Sequence, residues 1–119
     1  MKYTTSHEWV EDESGGRMGI TAYAAEAMGD IVFVEFLVAE GDRVEAGQAI
    51  AEVESVKSSA QAYAPSEGFV EELNRYVVDD PSLVNADAEG EGHLLILSGL
   101  KAEGLMDEET YQTFCENEG

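Results

Sequence analysis

The sequence predicts a compact all-β sandwich or barrel, and two observations carry this prediction. Short runs at 31–37, 48–56, 68–73 and 94–97 combine β-branched, aromatic and other apolar residues in the manner of strands. Glycines punctuate these runs, as turns between short strands require. These glycines are Gly15, Gly16, Gly29, Gly41, Gly47, Gly68, Gly90 and Gly92. The length of 119 residues predicts one domain, 1–119, which can bury a core without disulfides or a structural metal.

Short helices are predicted at the periphery of this β structure. Thr21 is a suitable N-cap for a helix that ends at Met28, and Gly29 follows as its C′ residue. The pair Asp80-Pro81 predicts a second helix start, with proline at the first helical position.

A third helix is predicted at the C-terminus. Asp107 is a suitable N-cap, and acidic residues follow it in the first turn, where they interact favourably with the helix dipole. Tyr111, Phe114 and Cys115 are spaced i, i+3 and i+4, so they form one apolar stripe that is expected to pack on the β core. Met106 precedes the cap and is expected to contact Tyr111 as a hydrophobic staple.

The charge balance is strongly acidic, with 26 Asp and Glu residues against 6 Lys and Arg residues and a formal net charge of −20. This surface repels phosphates, so the expected partner is a basic protein surface and not nucleic acid or an anionic membrane. The alternative is that the charge serves only solubility or reflects a salty cytosol. No apolar run is long enough to span a bilayer, and the N-terminus lacks the apolar stretch of a secretory signal. The single cysteine, Cys115, cannot form an internal disulfide, so a reducing, cytoplasmic setting is expected.

The residue types that most enzymes need are sparse. His7 and His93 are the two histidines and Cys115 is the one thiol, so a zinc site is not expected. No calcium-binding loop and no glycine-rich phosphate loop is present in the sequence. Ser6, His7 and Glu8 have the residue types of a catalytic triad, but adjacent residues rarely converge on one reacting atom. We therefore expect no catalytic site.

Lys57 is the residue that most strongly indicates a function. It is one of three lysines, with Lys2 and Lys101, and it lies between two predicted strands, which places it at an exposed hairpin tip. An exposed ammonium is not activated by burial, so a Schiff-base nucleophile is not expected. A primary amine on a protruding turn is suited instead to acylation, as the attachment point of a carried group. The alternative is a surface lysine paired with Glu54 in an unmodified binding domain.

Several segments, taken in order, resemble the glycine cleavage system H proteins. Glu54-Ser55-Val56-Lys57 resembles the lipoylation site of that family, and Ser6-His7-Glu8-Trp9-Val10 resembles its N-terminal motif. The other matching segments are Gly19-Ile20-Thr21, 27–35, 41–47, Ala64-Pro65 with Gly68, Leu83-Val84-Asn85, Gly90-Glu91-Gly92 and 111–115. Together they cover nearly the whole chain, so the combination is specific although each segment alone is weak.

The resemblance implies a flattened barrel-sandwich hybrid, the lipoyl- and biotinyl-type fold, with short peripheral helices and a C-terminal helix. It implies lipoate joined by an amide to Lys57, with Glu54 read by the lipoylating enzyme. It implies a monomeric carrier subunit and not an enzyme. The lipoyl arm takes the aminomethyl group of glycine from a pyridoxal-phosphate glycine decarboxylase to an aminomethyltransferase, and a dihydrolipoyl dehydrogenase reoxidises it.

The resemblance also implies a cleft in which the arm rests, with Ser6 and Glu8 in its lining. The sequence departs from the family pattern at Ala22, Tyr23, Gln61 and His93. Tyr23 and Gln61 stand where the family has a histidine and an aspartate associated with the cleft, so a cationic amine would lose one carboxylate partner. An alternative is therefore an H-like paralogue that carries lipoate for relay to other lipoate-dependent enzymes or for a redox response.

A biotin carrier is a further alternative for a modified lysine at a hairpin tip. Biotin domains typically flank their lysine with methionines, whereas the neighbours of Lys57 are Val56 and Ser58. Lipoate is therefore the expected cofactor.

Overall fold

The computed structural model describes residues 1–11 and 16–118, so Gly15 among the predicted turn glycines lies outside the described residues. The strands are β1 (Lys2–Tyr3), β2 (Glu8–Val10), β3 (Arg17–Ile20), β4 (Ile31–Phe36), β5 (Arg43–Val44), β6 (Ala49–Ser55), β7 (Ser59–Tyr63), β8 (Gly68–Leu73) and β9 (Leu95–Ser98). The helices are α1 (Ala22–Met28), α2 (Tyr76–Asp79), α3 (Ser82–Ala86) and α4 (Glu108–Glu118). None of these helices of the described residues is long and apolar enough to cross a bilayer.

The strands form two open antiparallel sheets. The larger sheet has six strands in the order β1-β2-β3-β9-β8-β5, and the smaller has three strands in the order β4-β6-β7. Every strand pair in the described residues is antiparallel. This arrangement confirms the predicted all-β class and the flattened barrel-sandwich hybrid, in which two sheets pack together without closing into one barrel.

The core lies between the two sheets and draws on both. Val34 of β4 and Val53 of β6 belong to the same buried cluster as Val70 of β8 and Leu97 of β9. Because side chains along a strand point alternately to its two faces, each sheet can contribute one apolar face to this core. Burial of one such side chain stabilises the fold by about 1.5–3 kcal/mol.

Strict alternation is interrupted by a β-bulge in β4. The register shifts between Ile31 and Phe33, and the two side chains Val32 and Phe33 are both exposed. An extra residue in one strand re-aims the side chains that follow it, which returns Val34 to the core. A comparable shift occurs within β8. These bulges let the short strands curve around the core while they keep their buried residues inside.

The predicted strands at 31–37, 48–56, 68–73 and 94–97 are confirmed to within one residue at each end, as β4, β6, β8 and β9. The helix capped by Thr21 is confirmed as α1, because Thr21 Oγ1 accepts a hydrogen bond from the backbone N–H of Ala24 at 3.2 Å. Gly29 follows the helix with φ of 83°, a left-handed conformation that favours glycine.

The helix predicted at Asp80-Pro81 is confirmed with a shift of one residue. The helix α3 begins at Ser82, and Pro81 is its N-cap although its φ and ψ of −58° and −21° are already helical. The preceding turn of helix, α2, was not predicted from the sequence, and neither were the short strands β1, β2 and β3.

The predicted C-terminal helix is confirmed as α4. The carboxylate of Asp107 accepts a hydrogen bond from the backbone N–H of Thr110 at 2.8 Å, as a capping residue does. Tyr111 is buried in a second apolar cluster with Tyr3 and Trp9. The partly buried residues that pack against this cluster are Met106, Phe114 and Cys115. The predicted apolar stripe therefore covers the N-terminal strands.

Candidate functional site

Lys57 lies at the tip of the hairpin formed by β6 and β7. The strand β6 ends at Ser55 and β7 begins at Ser59, so the turn consists of residues 56–58. Lys57 is exposed, and it takes part in no ion pair among the residues that the structure describes. The predicted placement of this lysine at an exposed hairpin tip is confirmed.

Ser55 fixes the shape of the turn. Its backbone N–H donates to the carbonyl of Ser58 at 2.8 Å. Its side-chain Oγ accepts hydrogen bonds from the backbone N–H groups of Ser58 at 3.0 Å and Lys57 at 3.3 Å. A serine hydroxyl can replace a backbone partner in a tight turn. The backbone of the tip is therefore ordered while the Lys57 side chain stays outside the sheet.

The tip is also tied to the segment that joins α1 to β4. The backbone N–H of Val56 donates to the carbonyl of Asp30 at 3.0 Å. A Cβ placed on Gly29 would lie 3.2 Å from Lys57 Cε, so glycine at this position leaves room for the methylene groups of the lysine. The side chain of Val56 is 70% exposed, which leaves an apolar group at the surface directly beside the lysine.

The other two lysines, both of which the structure describes, are placed differently. The Nζ atom of Lys101 lies 3.9 Å from a carboxylate oxygen of Glu67. Lys2 lies in β1, where it pairs with Val10 of β2. Of the three lysines, Lys57 is the one that a hairpin presents at its tip.

Glu54 is exposed on β6, three residues before the lysine. It lies opposite Phe33 of β4 and Ser59 of β7. Among the described residues no ion pair joins Glu54 to Lys57, so the alternative in which the two side chains neutralise each other is wrong for this structure. The carboxylate is instead presented to solvent on the strand that leads to the lysine.

Glu8 is a buried carboxylate, with 1% of its surface exposed. Its Oε1 atom accepts hydrogen bonds from Thr4 Oγ1 at 2.7 Å and Ser6 Oγ at 2.6 Å. Its Oε2 atom accepts a hydrogen bond from the backbone N–H of Tyr63 at 3.2 Å. Burial raises the pKa of the Glu8 carboxyl, and the three hydrogen bonds oppose that shift.

A cleft of about 310 Å³ brings Ser6 and Glu8 together with Tyr23 and Gln61. The structure thus places both predicted cleft residues, and the two substituted positions, around one cavity. Its apolar side is formed by residues of α1 and the β6–β7 hairpin, including Met28, Val53 and Ala60. Met28 precedes the glycine that faces Lys57, so this side of the cleft begins close to the hairpin tip.

The other two departures from the family pattern lie outside this cleft. Ala22 begins α1 on the far side of the helix and lines a neighbouring groove with Glu89, whose carboxylate accepts a hydrogen bond from the Ala22 N–H at 2.8 Å. His93 is half-buried near Asn74, whose side-chain amide donates to the His93 carbonyl at 2.7 Å. Burial lowers the pKa of the His93 imidazole. Neither residue is in the lining of the cleft.

Two further ionisable residues that sequence reasoning did not assign to the cleft also line it, His7 and Glu118. Their side chains are joined, with His7 Nε2 2.7 Å from Glu118 Oε1. The His7 ring stacks on Tyr23 with ring centroids 4.9 Å apart. The φ of His7 is 69°, which is unusual for a residue other than glycine. The position of His7 between Ser6 and Glu8 could have indicated that it lies at the cleft. Nothing in the sequence around Glu118 indicates a place at the cleft.

The structure does not arrange Ser6, His7 and Glu8 as a triad. The Ser6 hydroxyl donates to Glu8, whereas His7 Nδ1 lies 2.6 Å from the hydroxyl of Tyr111 on α4. Among residues 1–11 and 16–118, no group of three or more His, Cys, Asp and Glu side chains is arranged to hold a metal ion. The chemistry that this surface offers is an accessible amine beside a cleft with one apolar side and one polar side.

Comparison with known proteins gives a consistent result over the whole length of the chain. The family model for the glycine cleavage H-protein matches residues 1–118. The glycine cleavage system H protein of Thermotoga maritima is 42% identical over 121 residues, which cover 98% of this chain and 97% of the relative. That of Carboxydothermus hydrogenoformans is 40% identical, with 100% of this chain and 94% of the relative covered. The crystal structure of a glycine cleavage system H protein from Mycobacterium marinum superposes with a TM-score of 0.87 at 34% identity and covers 99% of this chain and 96% of the other. The chain therefore belongs to the glycine cleavage H-protein family.

Proposed function

We propose that this chain is the lipoate carrier of the glycine cleavage system and that lipoate is attached to Nζ of Lys57. The observation that carries the proposal is the position of Lys57 at an exposed hairpin tip, with the turn fixed by Ser55 and the lysine outside any ion pair of the described residues. Membership of the family supports the assignment to glycine cleavage.

Attachment forms an amide between the carboxyl carbon of lipoate and Lys57 Nζ. A lipoate–protein ligase activates the carboxyl with ATP, and the deprotonated amine displaces the nucleotide leaving group, so the positive charge of the lysine is removed. The protein then presents a neutral tether, which keeps the carried group at high effective concentration near each partner. When bound, lipoate supplies a disulfide that can accept the carried group together with electrons. Glu54, exposed on the same strand, is the residue that we assign to recognition by the lipoylating enzyme.

The cleft suits an arm of this kind. Its apolar side, with Met28, Val53 and Ala60, can cover an aliphatic chain, and its polar side holds Glu8 and Ser6. A cationic amine next to Glu8 would favour the ionised carboxylate and so oppose the effect of burial on its pKa. We assign Glu8 and Ser6 to holding the aminomethyl group of glycine while the arm rests.

In this proposal the chain acts as a carrier subunit and the partners perform the catalysis. It receives the aminomethyl group at a pyridoxal-phosphate glycine decarboxylase and delivers it to an aminomethyltransferase, and a dihydrolipoyl dehydrogenase reoxidises the arm. The net charge of −20 favours basic protein surfaces at each docking step and disfavours nucleic acid and anionic membranes. The proposed carrier works in the cytoplasm and as a monomer, which leaves the tip exposed for each docking step.

The test is a peptide-resolved mass spectrum of the chain isolated from its native cell. We expect the mass of one lipoyl group on the peptide that contains Lys57 and no such mass on the peptides of Lys2 and Lys101. The Lys57→Arg variant keeps the positive charge but cannot form the amide, so it should carry no lipoyl group and should unfold at the same temperature as the wild type. An unmodified Lys57 in cells that lipoylate other proteins would contradict the proposal and favour an unmodified binding domain.

One observation favours a second use of the same arm. Gln61 lies in the cleft with its side-chain amide donating to Glu52 Oε1 at 3.1 Å, and the family has an aspartate there. An amide at this position leaves Glu8 and Glu118 as the carboxylates of the cleft, and loss of the carboxylate at position 61 would suit relay of lipoate to other lipoate-dependent enzymes. A lipoylated chain that fails to support decarboxylation of glycine by the decarboxylase would select the relay function.

A further inference from the structure

Asn85 on α3 binds the segment between α1 and β4 with both ends of its side-chain amide. The Oδ1 atom accepts a hydrogen bond from the backbone N–H of Ile31 at 2.8 Å. The Nδ2 atom donates to the carbonyl of Gly29 at 2.9 Å. The two bonds bracket Asp30 and fix the direction of the peptide groups on either side of it.

The carbonyl of Asp30, held in this way, accepts the hydrogen bond from Val56 at the hairpin tip at 3.0 Å. Among the hydrogen bonds of the described residues, the bond from Val56 to Asp30 is the one that joins residues 56–58 to a segment outside the β6–β7 hairpin. The remaining bonds of the tip run between Ser55 and the turn and set only its internal shape.

We propose that Asn85 is a positioning residue for the modification of Lys57, because it holds the backbone carbonyl to which the lysine-bearing tip is tied. Asn85 is hydrogen-bonded to residues 29 and 31, and the carbonyl of Asp30 between them accepts from the Val56 N–H. Val56 is the residue that precedes Lys57 in the chain. This inference rests on the proposed attachment of lipoate to Lys57 and adds a residue about 30 positions downstream in the sequence.

The hydrogen bonds of Asn85 should affect how Lys57 is presented to an acylating enzyme as well as how stable the fold is. An exposed turn that is ordered only within itself can still tilt relative to the body of the protein, and an acylating enzyme must bring Nζ to a fixed point in its own site. Two hydrogen bonds from one planar amide restrict that tilt at the place where the tip meets the sandwich. Loss of these bonds should therefore slow acylation more than a similar loss of hydrogen bonds elsewhere in the fold.

The experiment compares Asn85→Ala with Asn74→Ala in the full chain. Asn74 is the control, because its amide also donates to backbone carbonyls, those of Glu91 at 3.0 Å and His93 at 2.7 Å, away from the tip. Asn74 is buried whereas Asn85 is exposed, so the control variant should lose more stability than Asn85→Ala. Initial rates of attachment are measured with a lipoate–protein ligase, lipoate and ATP. We expect kcat/KM for Asn85→Ala to fall about threefold to tenfold, the range expected for loss of about one net hydrogen bond. Asn74→Ala should retain wild-type attachment kinetics despite a lower unfolding temperature.

A second readout does not depend on lipoate. Amide hydrogen exchange at Val56 should be faster in Asn85→Ala and unchanged in Asn74→Ala, when both are measured well below their unfolding temperatures. The Asn85→Asp variant keeps an acceptor for the Ile31 N–H and should have intermediate exchange. Equal attachment and equal Val56 exchange in the two alanine variants would overturn the positioning role. Failure of the wild-type chain to accept lipoate at Lys57 would instead count against the proposed function, and the exchange data would still decide whether Asn85 holds the tip.

Discussion

Glu8 shows how far a single residue can be predicted. The motif that contains Ser6 and Glu8 predicted a shared cleft, and the two side chains do lie together. The contact is not that of an extended strand, because Ser6 lies in a turn and His7 has a φ of 69°. It is still a local contact, since that turn brings the Ser6 hydroxyl to Glu8. The burial of the carboxylate and its hydrogen bond from Tyr63 depend on packing of the β6–β7 hairpin against the N-terminal strand, which the local sequence does not specify.

The raised pKa of Glu8 predicts how stability changes with pH. The folded state holds this proton more tightly than the unfolded state, in which the carboxyl has the ordinary glutamate pKa of 4.5. The Glu8 contribution to stability is therefore most favourable at and below pH 4.5 and is lost as the pH rises through the higher folded pKa. Glu8→Gln cannot titrate. The free energy of unfolding of the wild type minus that of Glu8→Gln should therefore increase as the pH falls from 7 to 4.5.

Urea unfolding of both proteins at a series of pH values measures this difference, and the shared titration of the many other acids cancels in the subtraction. A difference that stayed constant, or that decreased at low pH, would show that the hydrogen bonds to Glu8 outweigh its burial. Lys57 should accept lipoate equally in both proteins, since Glu8 lies in the cleft and not at the tip.

At the scale of elements, α4 is joined to α1 through one hydroxyl group. The Tyr111 hydroxyl lies 2.6 Å from the side-chain oxygen of Thr21, the N-cap of α1, and the Tyr111 ring stacks on Tyr3 with centroids 4.6 Å apart. Burial raises the pKa of Tyr111, so the phenol is protonated at neutral pH and has a proton to share in this contact. The C-terminal helix thus supports the helix that forms one side of the cleft.

We expect Tyr111→Phe to destabilise the protein by about 1–3 kcal/mol, because Thr21 is fully buried and would lose this partner. Tyr76→Phe is the matched control, since Tyr76 is 75% exposed and its hydroxyl can be replaced by water at a cost within about 0.5 kcal/mol. Urea denaturation of both variants measures the two values. Equal stability of the two variants would show that the Tyr111 hydroxyl contributes nothing beyond the packing of its ring.

The elements that sequence reasoning predicted are those whose signals are local. The helix α1 has a capping threonine and a terminal glycine, and β6 has a run of apolar residues between turns. The strand β2, Glu8–Val10, has three buried residues in a row and so shows no alternation. The two-residue strands β1 and β5 exist only because a partner strand pairs with them. The position of Lys57 could be predicted because a hairpin tip is a local feature, whereas the support from Asn85 comes from a distant helix.

For the whole molecule, the acidic charge is the property that the fold explains least. Six basic side chains cannot neutralise 26 acidic ones, and a pair such as Arg43 with Glu45 is at the surface, where an ion pair contributes little. A formal net charge of −20 on one small domain must therefore oppose the compact state through repulsion.

Added salt should therefore stabilise the protein. At an ionic strength of about 0.1 M charges more than about 10 Å apart are largely screened, so the unfolding temperature should rise between about 0.01 M and about 0.5 M sodium chloride. If screening recovers about 1 kcal/mol, the rise should be roughly 4 °C for a domain of this size. Potassium chloride should act equally, because screening depends on ionic strength and not on the cation. We expect one cooperative unfolding transition in both salts, since the chain is one domain.

An unfolding temperature that did not rise with either salt would show that the acids are spaced widely enough to avoid repulsion. The charge would then carry no cost in stability, and partner docking would not be needed to explain why the chain keeps it.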